Sequence, residues 1–281
     1  MKGKTITKET IADYTKYLRL EEKSPNTIEK YLRDIRAFLI FSADAVITKD
    51  LVIAYKQTLV EQGYAVPSIN SMLSSINSLL TWLGWLDCRV KTIKMQRQVF
   101  CSEEKELTKG EYQRLLATAR QNGNERLYLV LQTICGTGIR VSELQFITVE
   151  AVRCGEAIVS CKGKTRIVFL VKELQKKLLR FIREQGTKSG SVFVSKCGKP
   201  LNRTTIWREM KGLCEKAGVN PSKVFPHNLR HLFARVFYRL EKDIAKLADI
   251  LGHSSINTTR IYIISTGSEH RKRMEAMRLI I

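Results

Sequence analysis

The chain has 281 residues, 44% of them hydrophobic, with a formal net charge of +21. That length suits one large domain or two ordinary ones. No apolar run reaches the ~18–20 residues of a membrane span, and the opening MKGKTITKET lacks the apolar core of a signal peptide. The basic excess is spread out, with 15 basic against 10 acidic residues up to position 100 and 33 against 17 beyond it. This points to a folded surface facing a polyanion, nucleic acid first, rather than to a charged tail. A membrane surface is disfavoured, because no segment joins a cationic face to a broad aromatic one. The seven cysteines, at 88, 101, 135, 154, 161, 197 and 214, form no C-x-x-C and no zinc-like spacing with histidine. Most are expected to be small buried thiols in a reducing, cytoplasmic setting, with no metal or other cofactor.

In chain order, a first helix is predicted near 7–20. Ser24 caps a second that opens on Pro25, where a missing N–H is harmless. Ile28, Tyr31, Leu32, Ile35, Phe38 and Leu39 give it a stripe of helical period. Two more helices are predicted near 48–62 and 66–86, so residues 1–90 read as a four-helix bundle in which Tyr31, Trp82 and Trp85 serve packing. Residues 91–106 break the periodicity and mix charges, as a linker does. A second domain, 107–281, opens where Thr108 caps a new helix, and helices continue to about 146. The run VEAVRCGEAIVSCKGKTRIVFL then changes to β-branched segments with Gly-containing turns, the pattern of a small antiparallel meander. Helices return after Val171, with one brief strand at SVFVS, 191–195. The fold class is mainly α, with a mostly helical α+β second domain holding one small antiparallel sheet.

Candidate chemistry lies in the second domain. In PHNLRHLFARVF, 226–237, Leu229, Leu232, Phe233, Val236 and Phe237, continued by Leu240, mark a buried helical face. His227, Arg230 and His231 share a neighbouring face near the helix N-terminus, which itself favours anions. In GTGIRVSEL, 136–144, Arg140 and Glu143 stand at i and i+3, where a carboxylate can fix a guanidinium for bidentate phosphate binding. An ordinary surface ion pair has the same spacing. The G-x-G follows a helix and lacks a third glycine, so it marks no dinucleotide site. CKGKTR, 161–166, ends like a P-loop, but Ile158 stands where that motif needs glycine. It reads as a hairpin tip holding Lys162 and Lys164. In LGHSSINTTRIYI, 251–263, Gly252 breaks a helix, Ser254 or Ser255 caps the next, His253 sits in the joint, and Tyr262 is either a core aromatic or a reactive phenol. EHRKRMEAMRLII closes the chain, with Met274, Met277, Leu279, Ile280 and Ile281 on a short amphipathic segment.

Taken together and in order, GTGIRVSEL, CKGKTR, PHNLRH and LGHSSINTTRIY resemble the arginine, lysine, histidine–arginine and histidine–tyrosine boxes of the tyrosine recombinases of the phage-integrase family. SPNTIEKYLRDIRAFLIF resembles that family's N-terminal core-binding domain, which implies a SAM-like helical fold for 1–90. The match covers nearly the whole chain. Its layout is similar to that of compact, Xer-like recombinases and mobile-element integrases, without an added arm-binding domain.

The resemblance implies cleavage and rejoining of DNA through a 3′-phosphotyrosyl intermediate, without metal or ATP. Tyr262 would be the nucleophile and Tyr238 its one serious rival. Arg140 and Arg230 would neutralise the phosphate. A phenol ordinarily titrates near ~10, so a base is needed, and His227 is the candidate. Lys162, favoured over Lys164, would protonate the leaving 5′-hydroxyl. His253 would bond a non-bridging oxygen, Glu143 would orient Arg140 or His227, and His231 would support them. The partners implied are double-stranded DNA, clamped between the two domains, and three further copies in a tetramer on two DNA sites. The free protein would be a monomer or weak dimer, and accessory directionality or DNA-bending proteins could join. The tail, 267–281, would dock on a neighbouring protomer, the alternative being its own domain. The competing functions are a catalytically silent DNA-binding protein, which would lack one of these groups, and a type IB topoisomerase-like enzyme acting on one duplex.

Overall fold

The computed structural model describes residues 4–43, 45–95, 103–161, 164–195, 197–262, 271 and 274–277, with 103, 161 and 164 described by their backbone alone. The chain divides into two compact units, Met1–Arg97 and Gln98–Ile281.

The first unit contains α1 (Lys8–Leu20), α2 (Pro25–Ser42), α3 (Lys49–Glu61) and α4 (Val66–Trp82). Side-chain caps begin three of them, Thr7 on α1, Ser24 on α2 and Thr48 on α3, each accepting an otherwise orphaned N–H. The fourth helix is shorter than the expected 66–86. It stops at Trp82, the chain turns through Gly84 at φ +74°, and a single 3-10 turn covers Leu86–Cys88. Tyr14, Phe38, Ile69, Leu73, Ile76 and Leu79 are buried at its centre. Asp34 is buried with them. Its carboxylate lies 2.8 Å from Lys30 and accepts from Ser75 of α4 at 2.9 Å, so the α2–α4 contact is closed by a paired charge.

The second unit runs α5 (Lys109–Gln121), α6 (Glu125–Thr137), a 3-10 segment Val141–Phe146, α7 (Val149–Cys154), β1 (Glu156–Cys161), β2 (Lys164–Phe169), α8 (Lys172–Gln185) and α9 (Arg203–Lys211). Then come α10 (Cys214–Ala217), a 3-10 turn Pro221–Lys223, α11 (Pro226–Glu241), α12 (Ile244–Leu251) and α13 (Ile256–Arg260). Helix α6 is the central element, with Leu127 to Leu131 and Ile134 all buried. The expected cap at Thr108 forms as a reciprocal box with Glu111.

The sheet is small and antiparallel, as expected, but among the described residues it is one hairpin, not a meander. Its register runs from Glu156↔Phe169 to Cys161↔Lys164. Ala157, Val159, Val168 and Leu170 face the core. SVFVS joins no ladder and makes only the isolated bridges Thr148↔Ser191 and Val194↔Pro200. Its apolar character reflects core burial of Val192 and Phe193 in a chain that soon doubles back, Ser195 N–H donating to Lys199.

Two other expectations need correction. On α11, Leu229 and Leu232 are buried, but Val236 is 38% and Leu240 79% exposed, because the second half of the helix turns Ala234, Phe237 and Tyr238 to a separate cluster with Leu247 and Leu251. Of the cysteines, Cys88 and Cys214 are buried but Cys154 and Cys197 are exposed. No helix among the described residues is long and apolar enough to cross a membrane.

Candidate active site

The site is assembled from the ends of elements. Helix α6 closes at Gly138, at φ +68°, where an added Cβ would lie 2.5 Å from Phe233. Only glycine fits there. The second glycine of GTG is therefore a helix cap, and its carbonyl is turned to accept from Arg230 Nη1 at 2.6 Å. Two residues on, Arg140 starts the 3-10 segment. Its N–H donates to Glu143 Oε2 at 2.7 Å and its Nη1 to Glu143 Oε1 at 2.9 Å. Glu143 bonds Arg140; no bond to His227 is formed, so of the two expected targets it engages the arginine.

Arg230 is 1% exposed, the largest fully buried side chain among the described residues. Its place on a polar face was expected; its burial was not. Nη2 donates to the Leu251 carbonyl at 2.7 Å and meets His253 Nε2 at 2.9 Å. A guanidinium only donates, so His253 Nε2 accepts, and the ring proton sits on Nδ1, 2.8 Å from Thr259 Oγ1. In this arrangement His253 holds the Arg230 fork, and Thr259 fixes the His253 tautomer. Arg230 Nε is buried and has no partner among the described residues. Burial, with Arg140 nearby, lowers the Arg230 pKa to about 10, which leaves it cationic at neutral pH.

Tyr262 follows α13 and is buried, at 6% exposure. Its hydroxyl lies 3.3 Å from His227 Nε2. His231 stacks on its ring with centroids 4.2 Å apart, and His253 stands 5.2 Å away on another side. His227 keeps much of its surface open. Even so, the protein packed around it, with the charges of Arg230, Arg140 and Arg203, holds its pKa below the usual 6.5. Burial carries His231 to about 4, helped by His227 and Arg230, and carries His253 to about 4, helped by Arg230 and Arg140. All three rings are therefore neutral at pH 7. A neutral His227 Nε2 can accept the phenolic proton while cationic guanidiniums stand close by, an arrangement that favours a developing phenolate attacking a phosphate.

Lys162 lies outside the described residues, and the Lys164 side chain likewise; the structure gives only the stem of the hairpin that carries them. Tyr238 packs with Phe233 and Phe237 in the apolar cluster on α11. Of the tail, Met274 and Met277 are exposed; Leu279, Ile280 and Ile281 lie outside the described residues. A cavity of about 390 Å³ lined by Arg126, Phe181 and Gln185 shares no residue with this constellation.

Sequence patterning missed Arg166. It donates from both terminal nitrogens to Glu143, at 3.0 and 2.7 Å, and its side chain is 14% exposed. The signal was its parity on β2, shared with the buried Val168, which places a charged residue on the core face. Arg203 and Thr259 carried no comparable mark.

The phage integrase family profile matches residues 105–269, and the profile of the phage integrase N-terminal SAM-like domain matches residues 11–86. The chain belongs to the phage integrase family. It is 29% identical over 282 residues to the tyrosine recombinase XerA of Pyrococcus horikoshii, covering 98% of this chain and 95% of that protein. A crystal structure of XerA recombinase is 27% identical and superposes with a TM-score of 0.55 over 97% of this chain and 99% of the other. A lambda integrase tetramer bound to a Holliday junction shares the fold, with a TM-score of 0.75 at 19% identity, over 93% of this chain and 78% of its own.

Proposed function

We propose that the chain is a site-specific DNA recombinase that cleaves a strand with Tyr262 and rejoins it from a 3′-phosphotyrosyl intermediate. The carrying observation is the Tyr262 hydroxyl at 3.3 Å from His227, beside the buried Arg230, whose Nε has no partner among the described residues. His227 accepts the phenolic proton. Arg140 and Arg230 neutralise the charge that grows on the phosphoryl oxygens, and no metal is needed for that. The covalent link keeps the phosphodiester energy, so rejoining needs no ATP. His253 holds Arg230 in the free protein; to bond a non-bridging oxygen it must release that contact and carry its proton on Nε2 instead of Nδ1, with the Thr259 hydroxyl then donating to Nδ1. Lys162, or Lys164, protonates the departing 5′-hydroxyl. His231 braces the Tyr262 ring.

The net charge of +21 and the likeness to a tetrameric integrase on a Holliday junction support a tetramer on two duplex sites, assembled from monomers or weak dimers. The biological task would be integration and excision of a mobile element, inversion, or resolution, on DNA in the cytoplasm, with accessory directionality or DNA-bending proteins as candidate helpers. The exposed Met274 and Met277 suit a tail that docks on a neighbouring protomer. The test offers nicked suicide duplexes carrying sequence from either side of the gene, without metal or ATP. A covalent protein–DNA adduct, absent from the Tyr262→Phe variant, is expected. Tight binding with no adduct would favour a binding protein. Relaxation of plasmid supercoils independent of any site would favour topoisomerase-like chemistry.

A further inference from the structure

Glu143 is 1% exposed and uses all of its accepting capacity. Oε1 takes Arg140 Nη1 and Arg166 Nη1, and Oε2 takes the Arg140 N–H and Arg166 Nη2. A carboxylate offers about four such positions, so it is saturated and serves as an anchor, not a base. Burial would raise its pKa, but the bonds from Arg166 and Arg140 outweigh that and keep it ionised. Arg166 has a second grip. Its Nε donates to the Ile250 carbonyl at 3.2 Å. Two residues further, Gly252 sits at φ +67°, where an added Cβ would lie 2.9 Å from Arg166 Cδ. The side chain is thus wedged under the turn that presents His253.

We propose that Arg166 is a positioning residue for strand cleavage. From the stem of the lysine-bearing hairpin it fixes the Glu143 carboxylate that aims Arg140, and it pins the helix end that presents His253. This inference rests on the recombinase reading above. Charge gives it force. Two guanidiniums on one carboxylate leave one positive charge over for a phosphate. With Arg166 gone, Glu143 would cancel Arg140. Geometry adds to this, because a bidentate fork sets the carboxylate plane in a way a lysine cannot. Arg166, with both ends of its fork on Glu143 and its Nε on a carbonyl, is engaged inside the protein rather than presented to DNA.

The test is single-turnover cleavage of the suicide duplex by the whole chain, beside its DNA dissociation constant. Arg166→Ala should slow cleavage about 100-fold, the scale of losing one aligned electrostatic donor, while DNA affinity changes less than about threefold. Arg166→Lys should recover part of the loss, since it restores the charge but not the fork. In an Arg140→Lys background, where the aimed guanidinium is already gone, Arg166→Ala should cost no more than about threefold, as residues acting through one another are non-additive. If the alanine variant fails to fold by circular dichroism, Arg166→Lys carries the test, with about tenfold slower cleavage at unchanged affinity. Wild-type rates in these variants, equal losses in affinity and cleavage, or the same fold loss in the Arg140→Lys background would each overturn the inference. Wild-type protein that forms no adduct would overturn the recombinase reading and this inference with it. Normal wild-type cleavage with an unaffected Arg166 variant would overturn this inference alone.

Discussion

Among the described residues each unit buries one carboxylate, and the two are used differently. Asp34 in the first unit is 2% exposed, and Glu143 in the second is 1% exposed. Asp34 meets Lys30 and Arg33 of its own helix and Ser75 of α4, and Lys30 and Ser75 go on to the Ser71 carbonyl of α4, so the network serves helix packing. Glu143 meets Arg140 and Arg166 from two separate elements, and the Arg140 charge lowers the pKa values of His227, Arg230 and His253. A buried, paired carboxylate is therefore no mark of function. What marks the second one is the surplus: three guanidiniums against one acid, with three neutral imidazoles and a phenol around them. Burying such a surplus costs stability, and it is tolerated where something anionic completes it.

The largest effect is expected at Arg230. Arg230→Ala should slow covalent adduct formation by at least about 1000-fold, since it removes the transition-state charge and the holder of His253. Single-turnover kinetics on the suicide duplex would show it. Glu143→Gln comes next. It keeps the shape and removes the charge that anchors two arginines, so cleavage should fall about 100-fold and stability by roughly 3 kcal/mol, the scale of a broken buried pair. Asp34→Asn should cost similar stability in denaturant titrations, yet leave the cleavage rate per folded molecule within about twofold. A large catalytic defect in Asp34→Asn would erase the distinction between the two networks.

The pH dependence gives a smaller, graded effect. His231 and His253 titrate at about 4 in the folded protein, where an exposed histidine titrates near 6.5. Between those values the unfolded chain binds more protons. Stability is then complete above about pH 6.5 and is lost as pH falls toward 4. Melting temperatures at stepped pH should decline over that window, and His231→Phe should flatten the decline. Because the His227 pKa also lies below 6.5, cleavage should persist at pH 6.5 and fail only on further acidification.

The helices were legible because their caps and 3.6-residue stripes are local. Ser24 and Thr108 cap where helices start in the sequence, and Gly252 stops one where φ is positive. The boxes around Arg140, His227, Arg230, His253 and Tyr262 were legible as an ordered set, and the fold gathers those five. The burial of Arg230 was not legible, because its partners are carbonyls at Gly138 and Leu251, far away in the chain. SVFVS misled because burial and strand pairing select the same side chains. Arg166 was hidden by its acidic partner 23 positions earlier, a separation no helical or strand period marks.

A covalent bond between Tyr262 and DNA can be located directly. Trapped adduct would be digested with nuclease and trypsin, and the nucleotide-bearing peptide sequenced by mass spectrometry. The peptide that follows Arg260 should carry the phosphate on Tyr262. A phosphate on Tyr238, or on any other residue, would contradict the account.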